Sequence, residues 1–240
     1  MPWVDGDDPE SAAKVRLALN LAIDRQSIID NLYGGIGTLN GLGACTFPGQ
    51  THWSGTSEPY PYDLEQAKAL LAEAGYADGF DISIANVDQP SGPVGLALHE
   101  AVADSWRQLG LNVTNVPGEW TNFREILINI TDPELTYYWY CNANYADPMG
   151  YYNLFYHKRF PLWFGSDEMQ VRLDAANAAL LPDERAPLIT AVNQYMYDNH
   201  YWIPMFVLPK LYATSVRVGE WPLIPGHLRV HNLEFLQVNQ

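Results

Sequence analysis

Apolar and polar residues repeat at the helical period in the opening part of the chain. Over residues 11–32 the apolar positions fall on one helical face, and the pair Gly34-Gly35 ends the run. These positions are Val15, Leu19, Ala22, Ile23 and Ile29. The pattern predicts one amphipathic helix. Residues 34–62 are rich in Gly, Pro, Ser and Thr, which indicates a long ordered loop of the kind that often lines a site.

The next part of the chain alternates between helix and strand patterns. Asp63 is a good N-cap for an apolar stripe that stops at Gly75. Residues 80–87 and 111–116 alternate as strands do, and residues 93–109 between them return to the helical period. The order helix, strand, helix, strand predicts an α/β fold with a mixed sheet flanked by helices.

The second half of the chain contains further helix patterns and then changes character. We predict helices at 122–129, 168–180 and 184–198, a buried aromatic strand at 135–141, and short strands at 202–209, 211–216 and 233–238. Pro, Gly and His separate the last three strands. We therefore expect the tail from residue 202 to pair with something other than the preceding unit.

Composition excludes several classes of partner. With 48% hydrophobic and 13% aromatic residues, the 240-residue chain has enough apolar side chains for a large core. Its formal net charge of −15 opposes binding to nucleic acid and to anionic lipid. No apolar window is long enough to span a bilayer, and the acidic beginning is unlike a signal peptide. We expect a soluble protein whose export signal lies outside this chain.

Signatures of catalysis and of cofactor binding are missing from the sequence. There is no G-x-S-x-G, H-E-x-x-H, phosphate-loop or C-x-x-C motif. The glycines at 34–37 follow a helix, whereas a dinucleotide loop joins a strand to a helix. His227 and His231 have the spacing of metal ligands, but Pro225-Gly226 argues against a helix there. We therefore assign no catalytic residue, no metal and no cofactor, and we expect a protein that is not an enzyme.

Four segments, taken together and in order, resemble the C-terminal lobe of the family 5 extracellular solute-binding proteins, the oligopeptide, dipeptide and nickel binders of ABC importers. The segments are Val15-Arg-Leu-Ala-Leu-Asn-Leu-Ala-Ile-Asp-Arg25, Tyr62-Asp-Leu-Glu-Gln-Ala-Lys-Ala-Leu-Leu-Ala-Glu-Ala-Gly-Tyr-Ala-Asp-Gly-Phe80, Gln108-Leu-Gly-Leu-Asn-Val113 and Tyr145-Ala-Asp-Pro148. The resemblance implies a periplasmic-binding-protein-like lobe at residues 1–201. It also implies that residues 202–240 are strands that return to the first lobe of a longer protein.

The family resemblance also implies a function, a location and partners. Its members enclose a solute between two lobes and deliver it to an ABC permease in the membrane. We accordingly expect a monomeric, periplasmic or extracytoplasmic binding protein. Two readings from other classes stay open: a carbohydrate hydrolase lined with aromatic residues, and a lobe recruited as an interaction or sensory module.

One loop position bears on the ligand. In peptide-binding members of the family, an aspartate four residues before the loop proline pairs with the α-ammonium group of the peptide. Counting back from Pro148, this chain has Asn144. An amide lacks the formal charge, which should weaken capture of the ammonium group by about 1–3 kcal/mol. The expected ligand is therefore an oligopeptide or a neutral solute such as an oligosaccharide.

Aromatic and amide side chains concentrate around this loop. Aromatic faces stack on C–H surfaces and amides bond hydroxyl groups, although alternate residues of a buried strand belong to the core. Asp147 also fits a turn-capping role beside Pro148. The predicted ligand-binding residues are Trp139, Asn142, Asn144, Tyr145, Asp147, Trp120 and Trp53.

Cys45 and Cys141 permit one disulfide, and two buried free thiols are an equal alternative. On the family reading both cysteines lie on the same side of the lobe, where a disulfide would hold the long loop against the site.

Overall fold

The computed structural model describes residues 1–41, 58–88, 95–119, 121–123, 125, 135–137, 149–156, 166–209, 211, 213–221 and 233–239. The fold opens with two helices, α1 (Pro9–Leu21) and α2 (Arg25–Tyr33). Each begins at an aspartate whose side chain accepts a backbone N–H, Asp8 for α1 and Asp24 for α2. The prediction of one continuous helix was therefore wrong, because the apolar period runs on through a second N-cap.

The helix predicted after Asp63 is confirmed as α3 (Leu64–Glu73). The Asp63 carboxylate accepts the backbone N–H of Gln66 at 2.8 Å, and Gly75 follows the helix with a φ of 86°. Before α3, the short strand β1 (Thr38–Leu39) lies within the region predicted as a loop.

A parallel sheet forms the centre of the fold. Strand β2 (Asp81–Asp88), helix α4 (Gly95–Gln108) and strand β3 (Asn112–Glu119) confirm the predicted strand–helix–strand unit. Strand β4 (Leu135–Tyr137) lies on the other side of β2, so that the strand order is β3-β2-β4. Both pairings in this sheet are parallel. Gly79 precedes β2 with a φ of 75°, and a Cβ there would lie 2.3 Å from the carbonyl oxygen of Gly110.

Three further α-helices follow the sheet in the part of the chain that the structure describes. They are α5 (Met149–Tyr156), α6 (Asp167–Ala178) and α7 (Pro182–Asp198), and the last two confirm the predicted helix pair. Ser166 caps α6 by accepting the backbone N–H of Met169, and Pro182 begins α7. Residues 121–123 and 125 are helical, in agreement with the described part of the helix predicted at 122–129.

Among the described residues, most buried apolar side chains belong to one of two clusters. The sheet cluster joins α1, α3, α4, β2 and β3, and it extends from Trp3 to Met205. The helical cluster joins α5, α6 and α7, and it extends from Met149 to Tyr201. Within the described residues, no helix is long and apolar enough to cross a membrane.

The tail from residue 202 differs from the prediction. Its described strand is β5 (Phe206–Val207), which pairs antiparallel with β1. Residues 211 and 213–216 are not strands, and Leu233–Phe235 is a short 3₁₀ helix. The strand predictions at 211–216 and 233–238 were therefore wrong for the described residues, apart from one bridge between Val218 and Val238.

The first part of this tail packs on the lobe itself. Met205 lies in the sheet cluster, and the carbonyl groups of Trp202 and Pro204 accept hydrogen bonds from Asn20 and Arg25. A division of the lobe after residue 201 therefore separates residues that are in contact. The assignment of the remaining tail to a second lobe stays a prediction.

Candidate binding face

The residues predicted to bind ligand fall in parts of the chain that the structure does not describe. They are Trp53, Trp120, Trp139, Asn142, Asn144, Tyr145 and Asp147, and the disulfide candidates Cys45 and Cys141 also lie outside the described residues. Their roles stay predictions. The described elements nevertheless show where the chain leaves the sheet just before several of them.

The carboxyl ends of the three parallel strands lie at one edge of the sheet. Asp88 is paired with Glu119 at the ends of β2 and β3, and Tyr137, the last residue of β4, is paired with Ala85. Trp120 is the residue directly after β3, and Trp139 follows β4 by two positions. Ligands of α/β sheets bind outside this edge, next to the strand where the order reverses. In the order β3-β2-β4 that strand is β2.

A polar pair lies near the same end of β2. The side-chain oxygen of Asn86 is 3.0 Å from Nδ1 of His99, which is 3% exposed on α4. The hydrogen bond ties the end of β2 to the helix that covers it. Sequence reasoning did not single out either residue, although an amide near the end of a strand was the available signal.

Three polar residues of the opening segment form a second constellation, which we call the arginine seam: Arg16, Asn20 and Arg25. Each is at most 4% exposed. Nε of Arg16 donates to the carbonyl of Asn199 at 2.8 Å, and its Nη1 pairs with Asp5 at 2.8 Å. A guanidinium group presents several donors in a fixed plane, which suits it to binding main-chain carbonyls from inside the fold.

Arg25 donates several of the hydrogen bonds of this seam. Its Nε donates to the carbonyl of Pro204 at 2.6 Å, and its two terminal nitrogens donate to the main-chain and side-chain oxygens of Asn20, each at 2.8 Å. The seam thus holds residues 199–204 against α1 and α2. These polar residues of the family-like opening segment therefore have a structural role, which sequence reasoning missed.

A tyrosine and a histidine lie beside the seam. The hydroxyl of Tyr60 is 2.9 Å from Nδ1 of His200 and 3.2 Å from the carbonyl of Tyr197. Burial raises the pKa of Tyr60 well above its usual value, and burial together with the Arg16 charge lowers the pKa of His200. Both groups are therefore held neutral near neutral pH.

A second tyrosine positions the N-terminal segment. The hydroxyl of Tyr201 donates to Asp5, and burial raises the pKa of that phenol. In the described part of the chain, no group of three or more His, Cys, Asp or Glu side chains could hold a metal ion. What this arrangement does is to hold the N-terminal segment and the chain after α7 side by side on the lobe.

Comparison with known proteins agrees with this architecture. The family model described as bacterial extracellular solute-binding proteins, family 5 Middle, matches residues 6–161. Heme-binding protein A of Haemophilus influenzae is 32% identical over 216 residues, covering 82% of this chain and 37% of that protein. The dipeptide-binding protein of Escherichia coli is 33% identical over 119 residues, covering 48% of this chain and 22% of its own length.

Solved structures show the same fold. HbpA2 from Haemophilus parasuis superposes with a TM-score of 0.68 at 27% identity, covering 81% of this chain and 39% of that one. A dipeptide-binding protein from a Pseudoalteromonas species, in complex with Met-Leu, superposes with a TM-score of 0.72 at 23% identity, covering 90% of this chain and 43% of that one. The chain thus spans less than half the length of these relatives, and it belongs to family 5 of the bacterial extracellular solute-binding proteins.

Proposed function

We propose that this chain is the C-terminal lobe of the substrate-binding component of an ABC importer, which captures a solute between two lobes and delivers it to a membrane permease. The observation that carries the proposal is the reversal of strand order at β2. Binding sites lie outside the carboxyl ends of such strands, and the segment that follows β4 contains Trp139, Asn142 and Asn144. Tyr145 and Asp147 belong to the same segment.

Capture would work by closure around the solute. A solute that contacts both lobes stabilises the closed form, and the closed form is the one that a permease would recognise. Arg16 supports this proposal, because it holds Asp5 near the beginning of the chain and Asn199 near the end of α7 together. Two chain segments that cross side by side to a first lobe would give a hinge. We further propose a periplasmic or extracytoplasmic monomer without catalytic activity.

We favour a short peptide as the solute, held through its backbone amides. Support comes from relatives named di/tripeptide-binding and dipeptide-binding proteins, which match 48% of this chain at 32–33% identity. Asn144 lacks the charge that would pair with an α-ammonium group. Heme is the first alternative solute, because heme-binding protein A matches a longer part of the chain. A neutral oligosaccharide is the second.

Isothermal titration calorimetry on the full-length protein tests the solute. Dipeptides, tripeptides, heme and oligosaccharides are titrated in turn, and each solute is then recovered and weighed by mass spectrometry. We expect saturable heat with peptides, and we expect the recovered peptides to have an unchanged mass. Saturation by heme or by a sugar alone would refute the peptide, and a cleaved solute would refute a pure binding role.

A charge change at Asn144 tests the predicted position of the peptide amine. Asn144→Asp restores a carboxylate, so we expect peptide affinity to rise about 5- to 150-fold, which corresponds to about 1–3 kcal/mol. Asn31→Asp is the matched control, since Asn31 is exposed on α2 and the change adds the same charge. Equal effects of the two variants would mean that Asn144 does not face the amine.

A further inference from the structure

Helix α5 is joined by polar side chains to both helices of the α6–α7 pair. Nδ2 of Asn153 on α5 donates to Oδ1 of Asn177 on α6 at 2.9 Å, and Nδ2 of Asn177 donates back to Oδ1 of Asn153 at 2.7 Å. Tyr152, which is 0% exposed, donates from its hydroxyl to Oδ1 of Asn193 on α7. These contacts hold α5 in the helical cluster.

The Asn153–Asn177 amide pair is a demanding contact. Two amides that donate to each other close a ring of two hydrogen bonds, so both the distance and the relative orientation of the two side chains are fixed. Apolar contacts, such as those of Met149 in the helical cluster, have no preferred direction. The amide pair therefore fixes where α5 lies along α6 more narrowly than apolar packing does.

Helix α5 begins directly after the segment that carries most of the predicted binding residues. Residues 138–148 join β4 to α5, whose first residue, Met149, is 1% exposed. Consecutive Cα atoms are about 3.8 Å apart, so the Cα of Asp147 lies no more than about 8 Å from that of Met149. The position of α5 thus limits where the carboxyl end of this segment can lie.

The two ends of this segment are held by different parts of the lobe. At its amino end, Tyr137 of β4 is paired with Ala85 of β2, the central strand of the sheet. At its carboxyl end, Met149 belongs to the helical cluster. Any shift of α5 along α6 therefore changes the distance that residues 138–148 must span.

We propose that Asn153 and Asn177 are positioning residues for solute binding. Their amide pair holds the carboxyl end of residues 138–148 at the place where the side chains of that segment meet the solute. Neither asparagine contacts the solute itself. This inference rests on the proposed function, because it takes residues 138–148 as part of the solute site.

Calorimetry on variants of the full-length protein tests this role. Asn153→Ala, Asn177→Ala and the double variant are titrated with whichever dipeptide, tripeptide, heme or oligosaccharide gives saturable heat with the unaltered protein. We expect each single change to weaken affinity by about 2- to 30-fold. The double change should weaken it no further, because either single change already breaks the pair. Alanine favours helix more than asparagine does, so a weaker helix propensity cannot explain the loss.

Gln194→Ala is the matched control. It breaks an exposed hydrogen bond of 2.7 Å to Asp198 within α7, and it should leave the affinity unchanged. A purely structural amide pair would lower the free energy of unfolding of the Asn153 and Asn177 variants without changing their affinity, which overturns the proposal. A full-length protein that binds none of these solutes refutes the proposed function and this inference together, whereas saturable binding with equal affinity in every variant refutes only the inference.

A reciprocal measurement on the unaltered protein does not depend on whether the variants fold. If the position of α5 favours solute binding, bound solute must in turn stabilise that position. We expect saturating solute to slow backbone hydrogen exchange in α5 more than in α2, which packs in the sheet cluster. An equal change in the two helices overturns the proposal.

Discussion

The two hydrophobic clusters differ in how much of the chain each one needs. The buried residues of the helical cluster, as far as the structure describes them, lie between Met149 and Tyr201, and its two longest helices are neighbours in sequence. The sheet cluster takes residues from Trp3 to Met205. Contacts between helices that are neighbours in sequence form quickly and cost little chain entropy, whereas contacts that close a long loop cost more chain entropy. The sheet cluster should therefore depend on long-range contacts that the helical cluster can do without.

The arginine seam supplies those long-range contacts. Arg25 and Pro204 are 179 positions apart in the sequence, yet they are joined by a hydrogen bond of 2.6 Å. A buried guanidinium is stable only when its donors are satisfied. The Arg25 guanidinium therefore fixes the position of residues 199–204 more precisely than apolar packing alone would.

The largest effect should come from removing Arg25. Arg25→Ala removes the hydrogen-bond donor of the Asn20 side-chain oxygen and of the Pro204 carbonyl, so we expect a loss of about 3–5 kcal/mol in the free energy of unfolding. Urea denaturation followed by tryptophan fluorescence measures it. Lys68→Ala on α3 is the control, because Lys68 pairs with Glu65 at the surface and should contribute about 0–1 kcal/mol. Equal losses would contradict a special role of the seam.

Core truncation in each cluster tests whether the clusters open separately. Leu173 is 0% exposed in the helical cluster, and Leu71 is 2% exposed in the sheet cluster. Each change to Ala should cost about 3 kcal/mol. Native-state hydrogen exchange should then accelerate mainly in α6 and α7 for Leu173→Ala, and mainly in α1, α3 and β2 for Leu71→Ala. Uniform acceleration in both variants would show that the lobe opens as one unit.

Two glycines sharpen the account of the sheet cluster. Gly75 and Gly79 both have positive φ, but only at Gly79 does a Cβ meet backbone, 2.3 Å from the Gly110 carbonyl oxygen. Gly75→Ala should cost about 1–2 kcal/mol from backbone strain alone. Gly79→Ala should lower the free energy of unfolding by clearly more, because the added Cβ would push the connection before β2 away from the connection before β3. Thermal denaturation of both variants gives the order, and equal midpoints would refute the close approach.

The smallest expected effect is a dependence of stability on pH at His200. Burial, with repulsion from Arg16, holds the pKa of His200 below its ordinary 6.5, while Asp198 acts in the opposite direction. The unfolded chain therefore takes up a proton first as the pH falls through about 6.5, and the free energy of unfolding decreases below that point. His200→Asn should flatten this part of the profile, because it removes the imidazole that titrates. Asparagine is the chosen replacement because it tolerates the φ of 55° at this position. Identical profiles for the two proteins between about pH 7 and pH 5 would contradict it.

Much of the fold could be predicted from local patterns. Asp63 and Gly75 delimit α3 because capping and left-handed termination are properties of neighbouring residues. The alternation before and after α4 predicts β2 and β3 for the same reason. The candidate binding residues were also chosen from composition and family resemblance, but their neighbourhood depends on how β4 pairs with β2.

The sequence by itself thus determined the helices α3, α6 and α7, the unit of β2, α4 and β3, the α/β class and the family, since these follow from periods, caps and ordered motifs within short stretches. Only the tertiary structure decided the break at Asp24, the strand order β3-β2-β4 and the docking of residues 202–207. The reason is physical: Asp24 competes with an apolar period that continues past it. The strand order and the docking rest on hydrogen bonds between residues far apart in the chain, which no local pattern encodes.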